Sequence, residues 1–173
     1  MEFGDRYADT IYIISLSFET MATVTVGQFI GNKKTDEITN VVKEGLKLLA
    51  IPCIIILIVT FVIPKQFCKI FVQSEEVINM ATKYLSIIGI PYIFSPLKKL
   101  IQGVIAGTGH TKILMTSIFL ANSVEFLSLI VLNHTQIDSI TKIGISALLW
   151  LITDFLICTI YFLSKKWKKH VNC

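Results

Sequence analysis

The stretch TVTVGQFIGNKK, residues 23–34, leaves an apolar run through two glycines four apart, Gly27 and Gly31 with Gln28 between them, and enters two lysines. Glycines at this spacing let two helix backbones approach closely inside a bilayer. A glycine followed by Asn32 and lysines is also a way for a helix to stop at a membrane surface. The first reading makes the segment a packed transmembrane helix, and the second fixes where it ends. Both require the rest of the chain to be built for lipid.

The composition meets that requirement. Of 173 residues, 53% are apolar and 16% charged, where soluble domains average about 25% charged. The mean hydropathy is +0.69. A net charge of +4, scattered along the chain, does not make a nucleic-acid surface. Cys53, Cys68, Cys158 and Cys173 show no CxxC spacing, and His110, His134 and His170 show no ligand spacing, so free thiols and no metal site are expected. There is no HExxH or GxSxG signature, which argues against an enzyme. The opening MEFGDRYAD is charged where a cleavable leader would be basic and then apolar, so the first apolar span is expected to be permanent.

A helix needs about 20 apolar residues to cross the hydrocarbon core. Five stretches qualify, at residues 8–30, 46–63, 84–106, 113–132 and 143–163. Unpaired backbone groups are excluded from lipid, so an all-α polytopic membrane protein with one five-helix bundle is predicted, with a basic tail at 164–173. Between the first two spans, GNKKTDEITNVVKEGLK reads as a turn and a short amphipathic helix along the membrane surface. Ser74, with Glu75 and Glu76 behind it, reads as an N-cap. GTGHTK reads as a tight turn between spans three and four. Counting basic residues on alternate sides gives nine (Lys33, Lys34, Lys43, Lys47, Lys112 and four in the tail) against five. The larger group predicts a cytoplasmic C-terminus in a plasma or inner membrane, with Trp167 anchoring in the headgroups. An outside N-terminus without a leader points to helices missing from the front.

Three carboxylates, Glu19, Glu125 and Asp154, fall inside the spans, and Lys98 and Lys99 interrupt the third. A charge at mid-membrane costs about 2.5–3.5 kcal/mol on insertion scales, so five facing lipid would cost roughly 12–17 kcal/mol. Helical spacing places Tyr12, Ser15, Glu19 and Thr23 on one stripe, Ser117, Asn122, Glu125 and Ser128 on another, and Trp150, Asp154, Cys158 and Tyr161 on a third. These acids either fix helix packing or line a solute or proton path. Lys98 and Lys99 lie about two turns from the end of their span, within snorkelling reach of the interface, and point about 100° apart, so one partner cannot serve both. Pro91 and Pro96 predict a bent or hinged third span. Gly103 and Gly107 repeat the opening spacing, and either Gly31 or Gly107 can take a left-handed helix cap.

VGQFIGNKKTDEI (26–38) resembles the Val-Gly-Gln-x-x-Gly-Ala-Gly-Lys stretch of multidrug and toxic compound extrusion (MATE) transporters. QGVIAGTGHTKILM (102–115) resembles that family's Gly-x-x-x-Gly-x-Gly-x-Thr-Lys segment, with Gly109 as its third glycine. FVQSEEVINMATKYLSIIGIPY (71–92) and GISALLWLITDFLICTIYFLSKKW (144–167) keep the family's order and look. The resemblance implies the last five of twelve helices, most of a C-terminal six-helix bundle, with EFGD as the end of the preceding loop. It implies alternating-access export of organic cations or other amphipathic compounds against protons or sodium, with no other cofactor. The remaining helices would come in cis or from a partner chain, and the piece alone would be inactive. Ile105 and Ala106 stand where the family often has Leu-Arg, and residues 84–106 carry Lys98 and Lys99 but no acid. No family cation site carries over complete, so Glu19, Glu125 and Asp154 rest on burial cost. A lipid-linked saccharide flippase-like transporter and a small membrane scaffold are the alternatives.

Overall fold

The structure is a computed structural model and describes residues 2–71 and 74–171. It is an all-helical bundle: α1 (Glu2–Gly31), α2 (Ile38–Leu57), α3 (Pro64–Phe71), α4 (Glu75–Gly107), α5 (Thr111–Asn133), α6 (Ser139–Leu163) and α7 (Lys166–Val171). Four helical stretches are long and apolar enough to cross a membrane, and α4 makes a fifth when its two parts are taken together. α4 is the hub. It packs along α1, α2, α3 and α6, while α5 lies on α6. Ile51, Ile54, Met115, Phe119 and Ile160 are among the large apolar side chains left on the outside of the bundle.

α1 begins at Glu2, so the EFGD stretch is its first turn and not a loop. The predicted surface helix after α1 is also absent. A single 3₁₀ turn (Thr35–Glu37) leads into α2, and a π-helical turn (Ile58–Val62) extends it, giving a 28-residue span from Thr35 to Val62. Ile38, Val41, Gly45 and Leu49 are buried at helical spacing, so Lys43, Glu44 and Lys47 are simply the outer face of the same helix. α4 bends by 42° between its Val77–Ile87 and Pro91–Gly107 parts. Pro91 has no N–H to give the Ile87 carbonyl, which accounts for the break. Pro96 lies within the second part. Ser74 has the extended backbone of an N-cap, but its hydroxyl makes no capping bond. α6 has a working cap in Asp138, whose carboxylate accepts from the Thr141 hydroxyl (2.7 Å) and from the Thr141 amide and meets Lys83 at 3.1 Å.

The left-handed caps fall two residues beyond the glycines expected to hold them. After α1 it is Lys33, at φ 57°, that turns the chain, with the Lys34 amide reaching back to the Phe29 carbonyl (2.8 Å). After α4 it is Gly109, at φ 79°, with the His110 amide donating to the Ile105 carbonyl. Both follow the six-to-one closure of a Schellman motif, and Gly31 and Gly107 remain helical. Trp167 departs furthest from expectation. Lys165, at φ 53°, folds α7 back so that the Trp167 ring is buried against a cluster including Ile38, Leu100 and Val104, stacked on Phe162 with its N–H on the Phe162 carbonyl (3.0 Å). It is a core residue, because the reversed tail brings its ring into an apolar cluster. Lys168 on the same helix meets Asp36 at 3.1 Å, joining the tail to the first loop at one end of the bundle. Cys53, Cys68 and Cys158 are free thiols, and Cys173 lies outside the described residues.

Candidate functional site

The five intramembrane charges lie on four helices around the middle of the bundle. Lys98 on α4 and Asp154 on α6 form an ion pair at 2.9 Å with side chains about 2% and 1% exposed. Gln102, one turn on from Lys98, donates to the same carboxylate oxygen at 2.9 Å. Cys158, one turn on from Asp154, lies 3.8 Å from its other oxygen and donates to the Ser117 hydroxyl of α5. Two i, i+4 pairs on facing helices therefore build the network. The indole of Trp150 covers the ammonium of Lys98 at 3.7 Å from the ring centroid, and its N–H donates to Asn122 at 2.8 Å. Burying two charges is tolerable only when they are paired and further contacted, and here Gln102 of α4 and Cys158 and Trp150 of α6 contact the pair.

Lys99 turns the other way. Its ammonium meets Glu19 of α1 at 2.8 Å, both side chains about one-fifth exposed. Both lysines thus turn inward to acids of neighbouring helices rather than along the helix to the membrane surface. Directly beyond that pair, α1 and α4 come close. The Thr23 hydroxyl donates to the carbonyls of Glu19 (2.8 Å) and Gly103 (3.1 Å). A methyl on Gly103 would strike the Glu19 carbonyl, and one on Gly107 would lie 2.7 Å from Val26 Cβ. Gly103 and Gly107 are the packing glycines that the sequence anticipated. At Gly27 and Gly31 nothing among the described residues lies within 4 Å of an added methyl, and both, with Gln28 between them, are exposed.

Glu125 stands apart. Among the described residues no ion pair reaches its carboxylate, which lines a cavity of about 340 Å³ with Tyr12, Tyr92, Ser95, Asn122 and Trp150. Pro91, at the bend of α4, is also in its wall. Trp150 is the partition, one face on Lys98 and the ring lining the cavity. Gln102 and Tyr92 were missed from the sequence. Gln102 was findable, since it lies four residues from Lys98 and shares its face, whereas Tyr92 depended on the bend at Pro91.

Long apolar helices around an interior charge network define a polytopic integral membrane protein. The MatE family profile matches residues 1–132. The probable multidrug resistance protein NorM of Thermotoga maritima is 23% identical over 171 aligned residues, covering 92% of this chain and 36% of the relative. No solved structure matches. The chain belongs to the MATE family, and it spans about a third of the length of the curated relative it matches.

Proposed function

We propose that this chain forms part of a MATE-type secondary antiporter that exports organic cations or other amphipathic compounds against protons or sodium. The observation that carries this is the Glu125 carboxylate, without an ion pair among the described residues, in a cavity lined by Tyr12, Tyr92 and Trp150. A carboxylate and the faces of Tyr12, Tyr92 and Trp150 together favour a cation with an apolar body. Glu19 with Lys99, each about one-fifth exposed, is the pair that can open to water, and Asp154 with Lys98 is the closed one. Pro91, at the 42° bend of α4, is the proposed hinge, with Pro96 in the part beyond it. Alternating access needs two bundles rocking about the site, and these helices supply one wall. The remaining helices come in cis or from a partner chain. The lysine-rich loops and tail favour a cytoplasmic C-terminus.

A flippase for anionic lipid-linked saccharides would need a basic cavity. Both candidate lysines are already neutralised by carboxylates, which supports the cation reading over that one. The test is ethidium binding to the purified chain by fluorescence anisotropy, with and without Glu125→Gln. Loss of the carboxylate should weaken binding about tenfold or more, the equivalent of one charge-assisted contact. Unchanged affinity would remove Glu125 from the site. Proteoliposomes of the chain alone should show no ion-driven efflux, and robust transport would overturn the one-wall reading.

A further inference from the structure

The Lys98–Asp154 pair has the form of an ion site that is already filled. The Asp154 carboxylate is fully buried and contacted on one oxygen by Lys98 and Gln102. The Ser117 hydroxyl lies one contact further, behind Cys158. The Trp150 ring closes the side where the ammonium sits, 3.7 Å from its centroid. A carboxylate oxygen, an amide that can turn its oxygen inward and an aromatic face are what a small desolvated monovalent cation would be offered. Here a lysine ammonium, carried on its own side chain, takes that position.

We propose that Lys98 is a tethered cation: its ammonium permanently holds the place beside Asp154 that a mobile monovalent ion would otherwise take. Three features support this over an ordinary packing pair. Lys98 reaches Asp154 from the part of α4 beyond the Pro91 bend, so the charge is brought across a helix interface and not along one face. The neighbouring Lys99 is committed to Glu19, so it does not compete for Asp154. The network also closes on itself. Among the described residues the Thr159 hydroxyl is the buried side-chain polar atom left without a partner, and it is no part of the network. The consequence is a specificity rule for ions. Asp154 is withdrawn from exchange, and the carboxylate left for a mobile cation is Glu125 on the other side of Trp150. This deepens the transport reading, but its test measures stability and stands whether or not the chain transports.

The experiment is a thermal melt of the purified full chain in detergent, in the Glu125→Gln background so that the open cavity does not contribute. Sodium chloride is compared with N-methylglucamine chloride at equal ionic strength. With Lys98 intact, Tm should be the same in both. Lys98→Ala exposes an uncompensated carboxylate and a vacated niche, so its Tm should fall in N-methylglucamine. Sodium should then raise it saturably by about 5 °C or more, as a ligand well above its dissociation constant does for a chain of this size. The double variant Lys98→Ala/Asp154→Asn should lose the sodium response. Equal sodium stabilisation with Lys98 present, or no sodium response in a folded Lys98→Ala protein, would overturn the proposal. So would loss of Lys98→Ala in every cation while the double variant folds, since the niche then admits no free ion. If neither variant can be purified, the Lys98-intact protein decides: a flat response sustains the proposal and sodium stabilisation overturns it.

Discussion

Gly103→Ala and Gly27→Ala make the same chemical change in two helices and should have opposite effects. Alanine is about 1 kcal/mol better than glycine in a helix interior. At Gly27 nothing lies within 4 Å of the new methyl, so the variant should keep most of that gain. At Gly103 the methyl meets the Glu19 carbonyl and sits 2.9 Å from both Glu19 Cα and Ala22 Cβ. Carbon atoms rest at about 3.5–4.0 Å, so α1 and α4 must separate. Overpacking of this kind costs about 1–3 kcal/mol. The separation also lengthens the Thr23 bond to the Gly103 carbonyl, 3.1 Å as it stands, a bond worth roughly 0.5–1.5 kcal/mol. After the propensity gain, Gly103→Ala should lose about 0.5–3.5 kcal/mol. The two variants should then melt roughly 3–18 °C apart. Tryptophan fluorescence reads this directly, because Trp167 is buried in the cluster that borders this interface. Gly103→Ala melting at or above the wild type would refute the close approach of α1 and α4.

Three further outcomes can be checked with the same preparation. Lys98→Met or Asp154→Leu alone should cost about 3–5 kcal/mol, by leaving one buried charge unpaired, while the double variant should lie near the wild type; strictly additive losses in the double-mutant cycle would show the pair uncoupled. Trp167→Ala should cost about 3–5 kcal/mol as a large core deletion, and in a Trp150→Phe background Trp167 should resist acrylamide quenching; ready quenching would return it to the headgroups. At Asp138 the bond from the Thr141 hydroxyl, then Lys83, hold the carboxyl below its ordinary range. A carboxylate depressed in the folded state adds stability above its unfolded pKa of about 3.9 and loses it as pH falls through the folded value. Melting curves from neutral pH downward should therefore converge on those of Asp138→Asn only at strongly acid pH, and parallel curves would remove the cap.

How much of this was legible in the sequence differs from residue to residue. Four spans, and a fifth when the two parts of α4 are taken together, were readable because lipid leaves a helix no alternative to a long apolar run. The break in α4 was readable because Pro91 deletes a particular hydrogen bond. The burial cost of Glu19 and Asp154 said that each must be compensated, though not by what. The caps at Lys33 and Gly109 were misread by two residues, because a Schellman closure depends on where the sixth residue back presents its carbonyl, and composition does not record that. Gly27 and Gly103 share one local motif, and among the described residues the second alone meets another helix, since spacing describes a surface and not its neighbour. Trp167 was misplaced for a related reason: a Trp among lysines has the composition of an interfacial anchor, and only the left-handed turn at Lys165 sends it inward.

The adjacency of Lys98 and Lys99 shows how sequence pattern becomes architecture. Consecutive helical residues diverge by about 100°, so a lysine pair is poorly suited to one partner and well suited to two. α4 stands between α1 and α6, and each lysine crosses a different interface to reach the acid there. The two acids that were costly in isolation thereby become the points at which the hub helix is held on both sides. Glu125 lies on α5, which packs on α6 and touches α4 only lightly, and it faces the cavity with no ion pair among the described residues. The division between compensated and uncompensated carboxylates follows from which helix is the hub. Moving the charge of Lys98 one position, as in Lys98→Leu/Leu97→Lys, would turn it about 100° from α6. That variant keeps composition and net charge but should lose as much stability as Lys98→Leu alone. If it melts with the wild type, the side-chain direction argued here is not what holds the bundle.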